Sequence, residues 1–327
     1  MAGLRKRLMV RIREEEFFTL LTYLLKWLLI CLLVGFAVGS ASALFLISLD
    51  YITDFREERI WPLMLLPLMG LLIGFVYYRF GQSVSKGNNQ ILDEFYSPKS
   101  VIPFRMAPLV LFGTLATHFV GGSAGREGTA VQMGSAIADQ FTKVFKLNAE
   151  DRRIILVCGM SAGFASVFGT PLAGAVFALE VLLVGRMRYE AILPSFLAAA
   201  IADYACLQWG AHHTHYSIPF VPDMNLQLLF LALAIGAVFG LCARLFSFSV
   251  QRFSQLFQQL ISYPPLRPFL GGIVLAGVFW LIGTRYAGLG IPVIVDAFEA
   301  ASMPQDFLLK IILTAFTLSA GFKGGEV

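Results

Sequence analysis

Arg126 and Glu127 stand between the uncharged runs Met106–Ala124 and Gly128–Ala138, inside the stretch GGSAGREGTAVQMG at 121–134. A charged side chain at hydrocarbon depth costs about 2.5–3.5 kcal/mol on insertion scales unless a cavity or a partner receives it. Glycines at 121, 122, 125 and 128 interrupt the helix here. Such a break is tolerated in a bilayer only where the freed backbone lines protein or a water-filled cavity. A new short helix is expected from Thr129 onward. Its first-turn N–H groups have no intrahelical partner and carry the positive end of the macrodipole, so the segment forms an anion receptor. Glu127, just ahead of that end, can fill the anion position with its own carboxylate and leave it on protonation. The alternative is an Arg126–Glu127 pair, or side chains that reach an interface. An ion pair alone would not need four glycines around it.

A second candidate lies in the polar stretch between Arg79 and Arg105, where GNNQI begins at Gly87. Asn88 and Asn89 would put amide donors at a helix N-terminus. If that stretch is a re-entrant half-helix, Asn88 faces the same cavity as Glu127; if it is ordinary turn chemistry, it does not. Glu180, closing the uncharged run Ile154–Leu179, reads as a proton-relay carboxylate or as an interface charge. His212, His213 and His215 have no acidic or cysteine partner at metal-ligand spacing, so no metal and no cofactor is expected. Cys31, Cys158, Cys206 and Cys242 sit in or beside apolar runs at unrelated spacings and read as small core residues.

The elements that hold these groups must be membrane helices. Of 327 residues 57% are hydrophobic and 14% charged, well below the quarter charged in soluble domains. The net charge of +4 is small and its basic residues cluster in loops and near the N-terminus, which suits a positive-inside topology and not nucleic-acid binding. Residues 1–18 carry Arg5, Lys6, Arg7, Arg11 and Arg13 before Glu14–Glu16 and read as a cytoplasmic amphipathic helix lying on the surface. Leu20–Leu49 and Ile60–Tyr78 are spans, the second anchored by Trp61, Tyr77 and Tyr78. Ile154–Leu179 is expected as two helices meeting at Gly169-Thr170-Pro171. Ala191–Ala202 and Asn225–Ala243 continue the pattern, with loops expected at Asp203–Asp223 and around Arg244 and Arg252; the first lacks Lys and Arg and reads as extracytoplasmic. After Phe269–Thr284 come YAGLGIPVIVDAF, Ile311–Phe322 and GGEV. A Gly-rich loop, a short apolar segment and a Gly-rich loop with a glutamate thus occur twice, with SAG at 123–125 and at 319–321. Paired Gly-broken segments in two halves point to a transporter site near the bilayer midplane. The expected division is residues 19–210 for the first half and 211–327 for the second, the latter truncated inside its glycine motif and the chain a fragment.

These motifs resemble those of the CLC family of anion channels and proton-coupled anion antiporters. GREGTAVQMG at 125–134 resembles the family's glycine-rich motif, whose gating glutamate falls on Glu127, and SAGFASVFGTPLAGAVFALE at 161–180 is similar to the next family stretch. The resemblance implies an all-α membrane fold of two antiparallel inverted-repeat halves with broken helices, a homodimer in the inner membrane, and one anion path per subunit. Where chloride-handling members carry a serine in GSGIP, this chain has Asn88, and Thr129 replaces the usual proline. GNNQI and GGEV resemble the bacterial fluoride/proton antiporter branch, with a chloride transporter or channel as the alternative. Val181 stands at the family's internal proton glutamate, leaving Glu127 as the expected proton carrier. The resemblance places the anion against Gly87, Asn88, Asn89, Gly125, Arg126, Gly128, Thr129, Gly324, Gly325 and Glu326. Fluoride, small and strongly hydrated, needs several good donors to replace its water, which amides and helix N-terminal N–H groups supply.

Overall fold

The structure, a computed structural model, describes residues 2–181, 189–213, 221–299 and 303–325. Those residues form twelve α-helices and no strand beyond one isolated bridge. In chain order they are α1 (Ala2–Glu57), α2 (Leu66–Phe80), α3 (Asn88–Tyr96), α4 (Met106–Phe119), α5 (Glu127–Val144), α6 (Ala149–Phe168), α7 (Pro171–Val181), α8 (Tyr189–Gln208), α9 (Leu226–Leu260), α10 (Leu266–Ile282), α11 (Ile291–Glu299) and α12 (Asp306–Ala320). Four stretches, Leu20–Glu57, Trp61–Phe80, Tyr189–Gln208 and Leu226–Leu260, are long and apolar enough to cross a membrane.

Several boundaries differ from the expectation, each for a local reason. No glycine or proline separates residues 1–18 from the first span, and α1 runs unbroken through both. α9 likewise continues through Arg244 and Arg252, where loops were expected, because no breaker follows Gly240 until Pro264. α8 extends through Asp203 to Gln208 and yields only at Gly210, which has φ +81°. α5 starts at Glu127 and not at Thr129, so the glutamate is part of the first turn. The break at Gly169 is as expected: α6 ends there in the left-handed region, φ +68°, and Pro171 opens α7.

Contacts divide the chain into two units. The first comprises Met1–Ala43, Ile91–Ile102 and Gly134–Gly210. Its helices pack through small residues: a Cβ on Gly134 would lie 2.2 Å from the Gly159 carbonyl oxygen, and one on Gly39 would lie 2.3 Å from that of Ala202. Approaches this close are how membrane helices gain packing without large side chains. Cys31, Cys158 and Cys206 are buried there as free thiols. An ionic network ties the strand-like exit from α3 to α5 and α6. Arg152 grips Asp139 with two donors at 2.9 and 2.8 Å, reaches Glu94 at 2.9 Å and donates to the Ser100 carbonyl at 2.6 Å. Asp139 also accepts from the Ile102 N–H at 2.8 Å. Burial works to raise the Glu94 carboxyl, but the Lys99 N–H, the Arg152 guanidinium and the Ser100 N–H outweigh it and hold the group below the ordinary carboxylate range. The C-terminal end of α3 is thereby fixed.

The second unit comprises Leu44–Gln90, Pro103–Met133 and Ala211–Val327. Its core gathers Leu66, Ile73, Val120, Leu275, Phe279, Tyr286 and Phe322. α2 and α10 touch backbone to backbone, since a Cβ on Gly70 would meet the Pro268 carbonyl oxygen at 2.3 Å. Asp306, at the start of α12, accepts from the Tyr286 hydroxyl at 2.6 Å and from Arg285 at 3.2 Å, which orients the loop before α11.

Candidate anion site

Within the second unit three glycine-broken segments meet through their backbones. The Gly288 N–H donates to the Gly121 carbonyl and the Ala124 N–H to the Gly288 carbonyl, both at 3.3 Å. Gly125 and Gly325 form the isolated antiparallel bridge, with N–H donors at 3.2 and 2.7 Å. Gly121 and Gly288 adopt φ +81° and +59°, conformations that L side chains rarely take. Gly325 lies against the opening of α5: a Cβ there would sit 2.8 Å from the nitrogens of Glu127 and Gly128 and 3.0 Å from that of Arg126. Only hydrogen fits at that point, so residue 325 puts no side chain over the first-turn N–H groups of α5.

Glu127 turns back onto this positive end, its Oε2 accepting the Arg126 N–H at 2.9 Å. The carboxylate therefore occupies a backbone donor that an external anion would use. Thr129 is buried, and its hydroxyl meets that of Thr114 at 2.7 Å. One of these two hydroxyls donates to the other, leaving one proton free for a further acceptor. Arg126 and Gly125 are half-buried and Gly128 is buried.

α3 opens at Asn88, as the amide-rich start implied. Gly87, at φ +55°, lies beside α5: a Cβ on it would be 3.2 Å from Gln132 Nε2. The Asn88 amide oxygen is buried without a hydrogen-bond partner. Oxygen and nitrogen of a side-chain amide exchange places on a flip, so this is a position into which Asn88 can turn its NH2 as a donor. Asn89, by contrast, is exposed and turned out of this arrangement. Gly324 is buried, and a Cβ on it would lie 2.4 Å from that of Ala124, whereas Glu326 lies outside the described residues.

Three polar groups here were not singled out from sequence. Gln132 adds a second amide beside Gly87. His118, buried in α4, holds its two ring nitrogens 2.8 Å from the Thr114 carbonyl oxygen and 3.1 Å from that of Ala124. Lys310, in the first turns of α12, donates to Ser123 Oγ at 2.9 Å and to the Gly288 carbonyl at 2.6 Å. Elsewhere, Glu180 is exposed. His212 is exposed and His213 half-buried, while His215 falls outside the described residues.

The family model for voltage-gated chloride channels matches residues 69–327. A chloride/fluoride channel protein of Pseudomonas syringae pv. tomato is 49% identical over 98% of this chain and 72% of its own length. The chain belongs to the voltage-gated chloride channel (CLC) family. Its fold matches a solved CLC-type fluoride/proton antiporter with a TM-score of 0.88 and 33% identity, over 93% of this chain and 77% of that one. A slow cyanobacterial chloride/proton antiporter shares the fold at a TM-score of 0.78 and 21% identity, over 91% of this chain and 75% of its own. CLC proteins are channels and transporters, and the all-α architecture with broken helices is that of the family.

Proposed function

We propose that the chain is a membrane antiporter that exports fluoride in exchange for protons. The observation that carries this reading is Glu127, whose carboxylate is bound by the Arg126 N–H at the positive end of α5. A carboxylate and a fluoride ion compete for one donor set, so each displaces the other, and a protonated Glu127 vacates the seat while holding a proton. Coupling then follows from shared occupancy. Fluoride is favoured over chloride by the donors that can be aimed at it, the Asn88 amide, the Thr129 hydroxyl and the Arg126 N–H that Glu127 vacates, with Gly87, Gly125, Gly128, Gly324 and Gly325 forming the backbone around them. Glu326 completes the proposed set, whereas Asn89 is exposed and its N–H donates to the Lys86 carbonyl at 3.2 Å, which leaves it no donor for the anion. The Pseudomonas relative named for chloride and fluoride, and the 33% identical fluoride/proton antiporter structure, support the same assignment.

The proposal extends to two membrane halves dividing near residue 210, a homodimer, and the inner (plasma) membrane with the N-terminus cytoplasmic, the last supported by the Arg and Lys residues at 5–13. Purified protein in liposomes loaded with equal fluoride and chloride tests the reading. Fluoride efflux that exceeds chloride efflux and acidifies the fluoride-loaded lumen is the expected result. Preferential chloride release, or fluoride release without proton entry, would overturn it.

A further inference from the structure

Tyr78, Arg79, Phe80, Gln82, Ser83 and Arg105 line a cavity of about 470 Å³ where α2 ends and α4 begins. We infer that this cavity binds the phosphate of an anionic phospholipid in the cytoplasmic leaflet, with Arg79 and Arg105 as its two cationic arms.

The turn that shapes the cavity follows from its sequence. Gly81 caps α2, its N–H donating to the Tyr77 carbonyl at 2.9 Å, and a Cβ there would lie 2.8 Å from the Tyr77 ring. With no side chain at 81 the chain passes directly into a 3-10 turn, Gln82–Val84, which buries Val84 and leaves Gln82 and Ser83 exposed. Gln82 Nε2 donates back to the Tyr78 carbonyl at 3.2 Å and holds this turn against the helix end. The start of α4 offers an anion little. Its Met106, Ala107 and Leu109 N–H groups donate to the carbonyls of Pro103, Phe104 and Arg105, and Pro108 has no N–H. Recognition therefore falls to the side chains.

Those side chains carry uncompensated charge. Among the described residues neither Arg79 nor Arg105 has an ion pair, and no carboxylate lines the cavity. Asp93 and Glu94 are the acidic residues between 79 and 105, and Glu94 is engaged by Arg152. Two like charges over one cavity repel each other, and a bound anion reverses the sign of that interaction. The Arg79 guanidinium carbon lies 5.4 Å from the centroid of the Phe80 ring, an arrangement that leaves guanidinium N–H groups able to pair with two phosphate oxygens. The Ser83 hydroxyl can add a further donor.

Position selects a lipid. Arg79 is in the last turn of Trp61–Phe80, a helix long and apolar enough to cross a membrane, and Arg105 immediately precedes the apolar helix Met106–Phe119. The cavity thus lies where hydrocarbon gives way to water. Tyr78 and Phe80 are exposed beside the arginines, and Tyr78 meets Tyr263 edge-on at 5.6 Å, the aromatic setting of the head-group region. Arg79, Lys86, Lys99 and Arg105 share one connection, which a positive-inside topology assigns to the cytoplasm. Anionic lipids enrich that leaflet, and basic pockets between membrane helices at that face take phospholipid head groups. The volume is that of a small-molecule site and far exceeds what a bare halide fills.

Native mass spectrometry of the purified protein, titrated with dioctanoyl phosphatidylglycerol or dioctanoyl phosphatidylcholine, tests the inference. One basic residue near an anionic surface is worth about 1 kcal/mol, or about fivefold in affinity. Wild type is therefore expected to bind phosphatidylglycerol about 25-fold more tightly than the zwitterionic lipid. Arg79→Gln and Arg105→Gln should each lose about fivefold, and the double variant should lose the preference. Lys99→Gln removes an exposed charge from the same connection without touching the cavity and should bind as wild type does. Equal affinity for the two lipids, wild-type preference in both arginine variants, or an equal loss in Lys99→Gln overturns the inference. Inorganic phosphate at the lipid's concentration is expected to displace nothing; displacement would make soluble phosphate the ligand and overturn the lipid assignment. Should the arginine variants fail to fold, Ser83→Glu, a negative charge set on an exposed turn, is expected to abolish the preference, and its survival there overturns the inference.

Discussion

Gly325 offers the most local perturbation of the proposed anion seat. Alanine there would place its Cβ 2.8 Å from two backbone nitrogens and 3.0 Å from a third, all in the first turn of α5. Backbone atoms in a helix start cannot yield as a flexible side-chain tip can, so the bridge to Gly125 must open. Its two hydrogen bonds, at 3.2 and 2.7 Å, are then lost. At about 1 kcal/mol each, with about 1–3 kcal/mol for the overpacked methyl, Gly325→Ala costs about 3–5 kcal/mol. Gly240 is the matched control, a helical glycine of α9 with nothing within 4 Å of its Cβ position. There the same substitution is expected to change stability by at most about 1 kcal/mol. Fluoride flux in liposomes and thermal unfolding in detergent would be measured for both variants. Gly325→Ala should lose flux at least tenfold, roughly 1.4 kcal/mol of the estimate, even where it remains folded. Wild-type flux and melting in Gly325→Ala would refute the packing argument, as would equal losses in Gly240→Ala.

Asn88→Ser shortens the side chain whose amide oxygen is buried without a partner, and should reduce discrimination of fluoride over chloride by about 1–3 kcal/mol in paired efflux assays. An unchanged ratio would make Asn88 a turn residue. Arg152→Met strands Asp139 and Glu94 in the first unit and should destabilise the protein by about 3–5 kcal/mol, read as a fall in melting temperature. Because the folded Glu94 carboxyl is held below its ordinary value, its contribution is fully present above about pH 4.3 and is lost as pH falls through the depressed folded value. Wild-type stability should therefore drop on that acid limb, and Glu94→Gln should flatten the part of the drop that Glu94 supplies.

Groups announced by their immediate neighbours were legible in the sequence. Four glycines around Arg126 and Glu127 gave the broken helix, Gly169 and Pro171 gave the α6–α7 break, and Gly87 before Asn88 gave the start of α3. Boundaries that depend on the lack of a breaker were misplaced: charges at Arg244 and Arg252 suggested loops, yet α9 tolerates them on an exposed helix with no glycine or proline after Gly240 to stop it. Lys310 escaped notice because it borders the apolar run Ile311–Phe322 and reads as its end, whereas α12 begins at Asp306 and carries the lysine inside. His118 was hidden in a run taken as uncharged. The Glu94–Arg152–Asp139 network joins residues far apart in sequence, and no spacing rule reports such a pairing.

Fluoride-driven proton uptake in Glu127→Gln beside wild type, at matched protein incorporation, tests the central claim most directly. The substituted amide is nearly the size of the carboxylate but carries no titrating proton, so the account predicts coupled uptake in wild type and none in the variant. Equal proton uptake by both would contradict it and remove Glu127 from the proton path.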